Sequence, residues 1–247
     1  MKKIRVLGVL LLVCAAAMAD LGRFDNATKH WEVDTGALKC TFFYGCMFPV
    51  WFRNAEGGEF PFFVFADNIV HGDDKAFLDE ERWATFTVIE NTSLKFIIEC
   101  RGNFCYGKSP YNVPDKKVEA TYRYELTRGR SDVKISVTLR KEAGADYKVE
   151  VCSFRWRDLP FEKCGEMNLD EKFQYLKDYE LPSARLFHGA MDLWLVERKA
   201  ILRREPYEGT LLFLKDAEGI KAWAADSTEL QFETVIRFEM HDKEVVK

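Results

Sequence analysis

Three segments between Val118 and Trp156 alternate apolar and polar residues, and this alternation constrains the fold more than any other feature of the sequence. Successive side chains on a β-strand point to opposite faces, so each segment fits a strand with one buried and one solvated face. Breaks at 128–132 and 142–146, each with a glycine, fit turns between them. The apolar positions are Val118, Ala120, Tyr122, Tyr124 and Leu126, then Val133, Ile135, Val137 and Leu139, then Tyr147, Val149 and Val151. We therefore expect three antiparallel strands at the centre of the fold.

The same alternation recurs before and after this centre. It predicts an all-β protein, an antiparallel β-sandwich with at most one or two short helices. The 20 Phe, 9 Tyr and 6 Trp of the sequence suit pleated surfaces. The helix signal is the capping-box sequence at 168–171, Asn-Leu-Asp-Glu. The further predicted strands lie at 31–33 and 38–44, in two apolar runs within 47–65, at 84–88 and 94–100, and at 191–196, 210–214, 219–224 and 230–240.

The alternation slips by one residue after Val151, because Phe154 and Trp156 fall on the opposite parity. One inserted residue, a β-bulge near Cys152 and Ser153, would return both aromatic residues to the core. The alternative is that the strand ends there. Bulges often lie beside functional sites, so the bulge hypothesis predicts a ligand-binding role for Arg155 and Arg157 on the solvated face.

The first 19 residues have the pattern of a signal peptide. Lys2, Lys3 and Arg5 precede an apolar run at 6–13, and Ala-Met-Ala at 17–19 is a small-x-small cleavage site. The run is too short to span a bilayer comfortably, so we expect no membrane span. A lipid anchor at Cys14 is the weaker alternative, because Val13 stands where a small residue is expected. We expect export to the periplasm or the exterior, and a single β-sandwich domain over 20–247 or the front part of a larger architecture.

The charge balance limits the partners. Cleavage after Ala19 leaves 33 Lys and Arg against 40 Asp and Glu, a net charge of −7, with no dense basic cluster. The electrostatic footprint of a nucleic-acid-binding protein is therefore missing, and we expect no nucleic-acid partner. Walker-type, Rossmann-type and Gly-x-Ser-x-Gly patterns are absent as well, so no cofactor is expected.

Six cysteines remain after cleavage, and two interpretations stay open. An exported chain can form disulfides, for which the simplest pairs are 40–46, 100–105 and 152–164. Cys40, Cys100 and Cys152 lie within strand patterns, however, which fits buried free thiols equally well.

Two segments supply candidate ligand-binding residues. The predicted loop 101–115 contains Tyr106 and Tyr111 among Gly and Pro, and binding residues concentrate on loops carried by rigid sheets. The aromatic segment 47–65 adds Trp51. An aromatic platform for a ligand is one interpretation of that segment, and filling of the core is the other. The predicted binding set is Trp51, Tyr106, Tyr111, Arg155 and Arg157.

Catalytic and metal-binding candidates are weaker. His71, His188, Arg101 and Tyr106 have side chains suited to proton transfer or to neutralising an anionic substrate, but no defining spacing links them. Asp73 and Asp74 lie in the polar stretch 67–82, whose spacing matches no recognised calcium loop, so no metal is predicted.

Two motifs resemble known carbohydrate-active families. Val-Asp-Thr-Gly-Ala-Leu-Lys at 33–39 is similar to the opening of exo-rhamnogalacturonan-lyase-like bacterial proteins. The hairpin 118–140 resembles strands of galactose-mutarotase-like supersandwiches. The resemblance implies a supersandwich-like fold associated with carbohydrates. It transfers no active-site residue, because in those families the catalytic machinery commonly lies in other domains, notably an α/α toroid for which this chain has no room.

Three functional hypotheses follow. The first is a secreted accessory domain that binds a poly- or oligosaccharide without catalysis. The second is a polysaccharide lyase that cleaves uronate-containing glycans by β-elimination. The third is a structural domain of a secreted assembly. The substrate, the oligomeric state and the disulfide connectivity stay open at this point.

Overall fold

A computed structural model describes residues 19–43, 49–54, 59–60, 68–71, 75–78, 84–106, 113–142, 148–156, 163–164, 167–168, 179–181, 185–188, 191–195, 199–205, 209–215 and 228–240. These residues form β-strands and the turns between them, and no helix occurs among them. Every described strand pairing is antiparallel. The prediction of an all-β antiparallel sandwich is confirmed.

The first sheet has five strands in chain order. They are β1 (Gly22–Asp25), β2 (His30–Asp34), β3 (Leu38–Phe43), β4 (Pro49–Asn54) and β5 (Glu59–Phe60).

The second sheet contains the other fifteen strands. They are β6 (Asn68–His71), β7 (Lys75–Leu78), β8 (Thr85–Asn91), β9 (Lys95–Tyr106), β10 (Val113–Thr127), β11 (Asp132–Lys141), β12 (Lys148–Trp156), β13 (Lys163–Cys164), β14 (Met167–Asn168), β15 (Tyr179–Leu181), β16 (Arg185–His188), β17 (Met191–Leu195), β18 (Lys199–Glu205), β19 (Gly209–Lys215) and β20 (Glu229–Met240). Their order is β14-β13-β16-β17-β20-β11-β10-β9-β7-β6-β12-β19-β18-β15, and β8 pairs with β9.

The predicted central hairpin is β10 and β11. Tyr122 pairs with Val137, and the predicted apolar positions whose side chains are described, 120–126 on β10 and 133–139 on β11, are buried at every second residue. The third predicted strand, β12, exists but does not lie beside β11. Its residues pair with β6 and β19, while β20 occupies the place next to β11. The alternation identifies a strand and its buried face, but it carries no information on which strand will be the neighbour.

The predicted bulge in β12 is confirmed by the backbone register. Cys152 pairs with Phe213 and Phe154 pairs with Leu212, so Ser153 is an extra residue opposite β19. The bulge coincides with the change of partner, because the residues of β12 before Cys152 pair with β6 instead.

Two predicted loops contain strands. β9 continues to Tyr106 and β10 begins at Val113, so most of 101–115 is paired sheet. Within 67–82, β6 and β7 form a hairpin in which His71 pairs with Lys75. Backbone hydrogen bonds to neighbouring strands fix these segments although their sequences are polar. The predicted strand 219–224 and residues 169–178, where a helix was expected, lie outside the described residues.

Aromatic side chains fill the space between the two sheets. Phe42 on β3 is fully buried, with its ring centroid 5.3 Å from Tyr124 and 6.2 Å from Phe96. Phe52 on β4 stacks on Phe238 at 4.5 Å. Large aromatic side chains bury much apolar area, so these contacts supply much of the stabilisation that holds the sheets together.

Cys40 belongs to this core and is a free thiol. Burial raises its thiol pKa above the ordinary value. At this position the buried thiol is therefore the correct one of the two open interpretations. Cys100, also predicted to lie in a strand, is buried in the same core.

Asn91 ties the first sheet to the second at their edges. Its side-chain amide donates to Gly22 O and its side-chain carbonyl accepts from Gly22 N, both at 2.9 Å. A Cβ on Gly22 would overlap the ring of Phe96. The backbone of β1 therefore lies too close to the core to accommodate a side chain at this position.

Candidate functional site

The structure places the predicted site residues in different parts of the fold. Trp51 lies on β4 of the first sheet, whereas Arg101 and Tyr106 lie on β9, His71 at the end of β6, His188 at the end of β16 and Arg155 on β12. Tyr111, Arg157, Asp73 and Asp74 lie outside the described residues. The predicted residues that the structure describes therefore lie on five different strands of the two sheets.

One pair of predicted catalytic residues does come near each other along the backbone. Val70 and Tyr106 are both Cα partners of Ala76, so the residue next to His71 lies two strands from Tyr106. At the usual strand spacing this is a distance of about 10 Å. His188 is separated from β9 by four intervening strands, namely β17, β20, β11 and β10.

Arg101 is held in the outward face of the second sheet. Its guanidinium lies 3.1 Å from Glu99, and Glu99 also lies 3.3 Å from Arg123. A guanidinium with a carboxylate partner is less available to neutralise a substrate carboxylate.

The rest of this face is also covered by cross-strand ion pairs. Lys95 lies 3.0 Å from Glu125, Lys134 2.9 Å from Glu233 and Arg140 2.8 Å from Glu229. The hydrogen bond from Arg130 to Asp132, with the charges of Arg130 and Arg237, lowers the pKa of Asp132 below its ordinary value. The described face is thus largely self-neutralised, as a solvated sheet surface is.

A cleft of about 460 Å³ lies on the first sheet. Alternate residues of β2 and β3 bring polar groups to it, because Cα partners on adjacent strands share a face. Asp34 pairs with Lys39 and Glu32 with Thr41. The cleft is lined by His30, Glu32, Val33, Asp34, Lys39, Cys40, Thr41, Phe43 and Arg53. It is therefore a polar cleft with one aromatic wall, on the side of the sheet opposite Phe42 and Phe52.

A hydrogen-bond donor, Lys39, and an acceptor, Asp34, are adjacent in this cleft. Lys39 Nζ lies 3.0 Å from Asp34 Oδ2, and the two side chains are 57% and 51% exposed. The other carboxylate oxygen, Oδ1, accepts from Gly36 N at 2.8 Å and fixes the aspartate on the turn. An exposed ion pair of this kind contributes at most about 1 kcal/mol to the free energy of unfolding. Contacts with a ligand can therefore replace part of the interaction between the two side chains at little cost.

His30 forms the inner end of the cleft. It is only 8% exposed, and Nε2 lies 3.4 Å from Glu32 Oε1 and 3.3 Å from Thr28 Oγ1. An ionised carboxylate only accepts hydrogen bonds, so the contact with Glu32 requires a hydrogen on Nε2, and in the neutral imidazole Nδ1 is then an acceptor. Nδ1 is buried and has no hydrogen-bond partner among the described residues. A buried polar atom without a partner costs about 1–3 kcal/mol, which marks the cleft as an incomplete polar network.

Sequence reasoning missed this site apart from Trp51, which is the Cα partner of Thr41. The signal was present in the opening hairpin. His30, Glu32 and Asp34 alternate with the half-buried Trp31 and the core residue Val33. The outer face of β2 therefore consists of three titratable residues, close to the predicted binding residue Trp51. This combination was the sequence signal that could have indicated the site.

The described residues contain no metal centre and no membrane-spanning helix. No group of three or more His, Cys, Asp or Glu residues lies close enough to hold a metal ion in the described part of the chain. Within the same ranges no helix has the length and apolar character needed to cross a bilayer.

Solved structures with the same fold come from carbohydrate-active enzymes. The chain matches the galactosidase domain of the alpha-galactosidase-sucrose kinase AgaSK with a TM-score of 0.53 and 9% identity, over 88% of this chain and 41% of that chain. It matches an alpha-mannosidase from Enterococcus faecalis V583 with a TM-score of 0.53 and 9% identity, over 92% of this chain and 30% of that one. It matches a 4-alpha-glucanotransferase from Thermococcus litoralis with a TM-score of 0.50 and 9% identity, over 89% and 41%.

The class that the fold defines is therefore a β-sandwich of the kind found in carbohydrate-active enzymes. The chain spans less than half the length of these structures, and at such low identity the likeness shows the fold alone. No protein-family model matches the sequence, and no curated protein matches it. The expected resemblance to carbohydrate-associated sandwiches is confirmed at this coarser level, and the lyase-like family stays a prediction.

Proposed function

We propose that this protein is an exported, non-catalytic β-sandwich that binds a poly- or oligosaccharide. The observation that carries the proposal is the cleft on the first sheet, whose volume of about 460 Å³ falls in the range of small-ligand pockets. Its walls combine carboxylate acceptors, ammonium and guanidinium donors and one aromatic ring. Sugars present hydroxyl groups that both donate and accept, together with apolar C–H faces, so this lining suits them.

Trp51 supports the same proposal. It was predicted as a binding residue from sequence, and its register beside Thr41 places its backbone next to the cleft. An indole ring offers a large flat surface and one N–H donor. Stacking on a sugar C–H face is the role we assign to Trp51.

Export is part of the proposal. Leu21, two residues after the proposed cleavage site, is buried and donates from its backbone N to Thr92 O at 3.0 Å. The proposed cleavage after Ala19 would leave this anchor intact. Mass measurement of the secreted protein tests the assignment, and a mature chain beginning at Asp20 is the expected result.

A glycan array followed by isothermal titration calorimetry on the exported chain tests the binding function. Binding to at least one plant or microbial polysaccharide is expected. Absence of binding across the whole panel would refute the proposal. Stable co-purification with another secreted protein, without glycan retention, would favour an assembly role instead.

A polysaccharide lyase is the second candidate. It is favoured by the two-strand separation of β6 and β9, which brings the backbone of His71 near that of Tyr106. The ion pair of Arg101 with Glu99 weighs against it, because β-elimination needs a cation for the uronate. Incubation with polygalacturonate, rhamnogalacturonan and alginate would yield unsaturated, ultraviolet-absorbing products if the lyase hypothesis holds, and no change in absorbance would refute it.

A further inference from the structure

We infer that the cleft binds a neutral sugar residue through adjacent hydroxyl groups, with Asp34 and Lys39 as the contacting pair. This inference rests on the proposed glycan-binding function and names its ligand class. The separation of 3.0 Å between Lys39 Nζ and Asp34 Oδ2 places a donor beside an acceptor. Adjacent hydroxyl oxygens on a sugar ring have a similar spacing. One hydroxyl can accept from the ammonium while its neighbour donates to the carboxylate.

The orientation of the pair is fixed on the aspartate side. Asp34 Oδ1 is engaged by the backbone N–H of Gly36 at 2.8 Å, which leaves Oδ2 directed to Lys39. Gly36 adopts a φ of +86°, a left-handed conformation that glycine adopts without steric cost. The turn therefore holds one of the two recognition groups in place before a ligand arrives.

A second carboxylate, that of Glu32, lies about the width of one hexose ring from Asp34. Glu32 and Asp34 are two residues apart on β2, which separates them by about 7 Å along the strand, comparable to the width of one hexose ring. Glu32 is 62% exposed, and its Oε1 lies 3.4 Å from the buried His30. The His30 ring is in turn packed against Phe43, with ring centroids 5.2 Å apart. The contact with His30 engages Glu32 Oε1, and we assign the second oxygen, Oε2, to the other edge of the sugar ring.

The charge balance of the cleft favours a neutral ligand over a uronate. Two cationic side chains, Lys39 and Arg53, line it together with two carboxylates, Glu32 and Asp34. A uronate carboxylate beside Lys39 would also face Asp34 at close range, and like charges at that distance repel. The net negative charge expected for the exported chain gives no compensating attraction at long range. The hydroxyl groups of a neutral sugar are not repelled by Asp34 and do not depend on long-range electrostatic attraction.

Titration calorimetry on the exported chain tests this inference. The probes are neutral galacto-, manno- and gluco-oligosaccharides and an oligogalacturonate of the same length. The cleft variants are Lys39→Met and Asp34→Asn, the second of which retains a side-chain oxygen for Gly36 N. The matched control is Lys134→Met on the second sheet, because Lys134 also lies 2.9 Å from a cross-strand carboxylate, Glu233, at similar exposure. Thermal unfolding of each variant checks that the fold is retained.

A neutral oligosaccharide is expected to bind, and each cleft variant is expected to weaken that binding roughly tenfold or more while the control stays within about twofold of the parent. Unchanged affinity in both cleft variants would overturn the inference but leave the glycan-binding function standing. Tighter binding of the oligogalacturonate than of every neutral probe would also overturn the inference and leave the glycan-binding function standing. Failure of all glycans to bind the parent chain would instead overturn the proposed function itself.

Discussion

The hydroxyl oxygen of Thr35 lies 2.8 Å from the carbonyl oxygen of Arg130, 95 residues later in the chain. The same hydroxyl accepts from Leu38 N at 2.8 Å, and Gly129 N donates to Thr35 O at 2.6 Å. These bonds join the turn between β2 and β3 to the turn between β10 and β11, and so the first sheet to the second. Thr35 is completely buried, so none of these groups can turn to water instead. Thr35 of the opening motif is therefore a structural joint between the sheets.

Replacement of Thr35 by Val tests this joint. Valine keeps the shape but removes the hydroxyl, so Leu38 N and Arg130 O each lose their hydrogen bond to it. We expect the free energy of unfolding to fall by about 1–3 kcal/mol, measured by urea denaturation. Thr35→Ser keeps the hydroxyl and should lose only about 1 kcal/mol, for the buried methyl. Equal losses in the two variants would show that the hydroxyl does not stabilise the joint.

Gly22 makes a second testable contact between the sheets. An alanine Cβ there would overlap the ring of Phe96, which is fully buried. Gly22→Ala should cost about 1–3 kcal/mol, as overpacked cores do. The cost should shrink when Phe96 is replaced by Leu, and a double-mutant cycle by urea denaturation measures that coupling. Strictly additive effects would contradict the steric explanation.

Asp132 gives the protein a defined acid sensitivity. The hydrogen bond and charge of Arg130, together with Arg237, lower its pKa in the folded state below the ordinary value of 3.8. A carboxyl with a depressed folded pKa stabilises the protein above its unfolded pKa, and this contribution is lost as the pH falls through the folded pKa. The free energy of unfolding should therefore decrease below about pH 4, and less steeply in Asp132→Asn. Parallel denaturation curves at pH 3 to 7 decide the matter, and identical slopes would exclude Asp132 as a contributor.

The thiol of Cys40 should be unreactive in the folded protein. The thiolate is the reactive form, and burial both raises the thiol pKa and blocks access. Alkylation with iodoacetamide followed by peptide mass spectrometry should leave Cys40 unmodified under native conditions and modify it in urea. Rapid native labelling would contradict the buried position. A disulfide to Cys46 would contradict the free thiol.

Strand positions were predictable from sequence because burial of one face leaves a period of two in the residues. Tyr122, Tyr124 and Ile135 lie in the core as their parity predicts, and the extra residue at Ser153 appears where the parity slips. Strand neighbours were not predictable. The placement of β20 rather than β12 beside β11 pairs Val137 with Phe232, a contact across nearly a hundred residues. Such pairings depend on the packing of the whole sheet, and short-range alternation does not encode them.

The candidate site was predictable only in part, for a different physical reason. Trp51 was predicted as a binding residue because it lies in an unusually aromatic segment, whereas Glu32, Asp34 and Lys39 looked like ordinary polar residues on a solvated face. What distinguishes them is a buried histidine at the base of their cleft. Burial of His30 is a tertiary property, because its parity places it on the otherwise exposed face of β2. Sequence alternation alone assigns that face to solvent.

Substitutions at two aromatic positions, Trp51 and Tyr106, distinguish the cleft from the β9 region as the binding site. Trp51 is the Cα partner of Thr41 beside the cleft, whereas Tyr106 pairs with Val113 and Ala76 in the other sheet. If the cleft binds the sugar, Trp51→Ala should weaken glycan binding about tenfold, equivalent to 1.4 kcal/mol, because a stacking surface is lost. Trp51→Phe should restore part of the affinity, and Tyr106→Ala should leave it unchanged. Titration calorimetry with the same oligosaccharide measures all three variants. Loss of affinity in Tyr106→Ala with retention in Trp51→Ala would move the binding site to the β7–β9–β10 region.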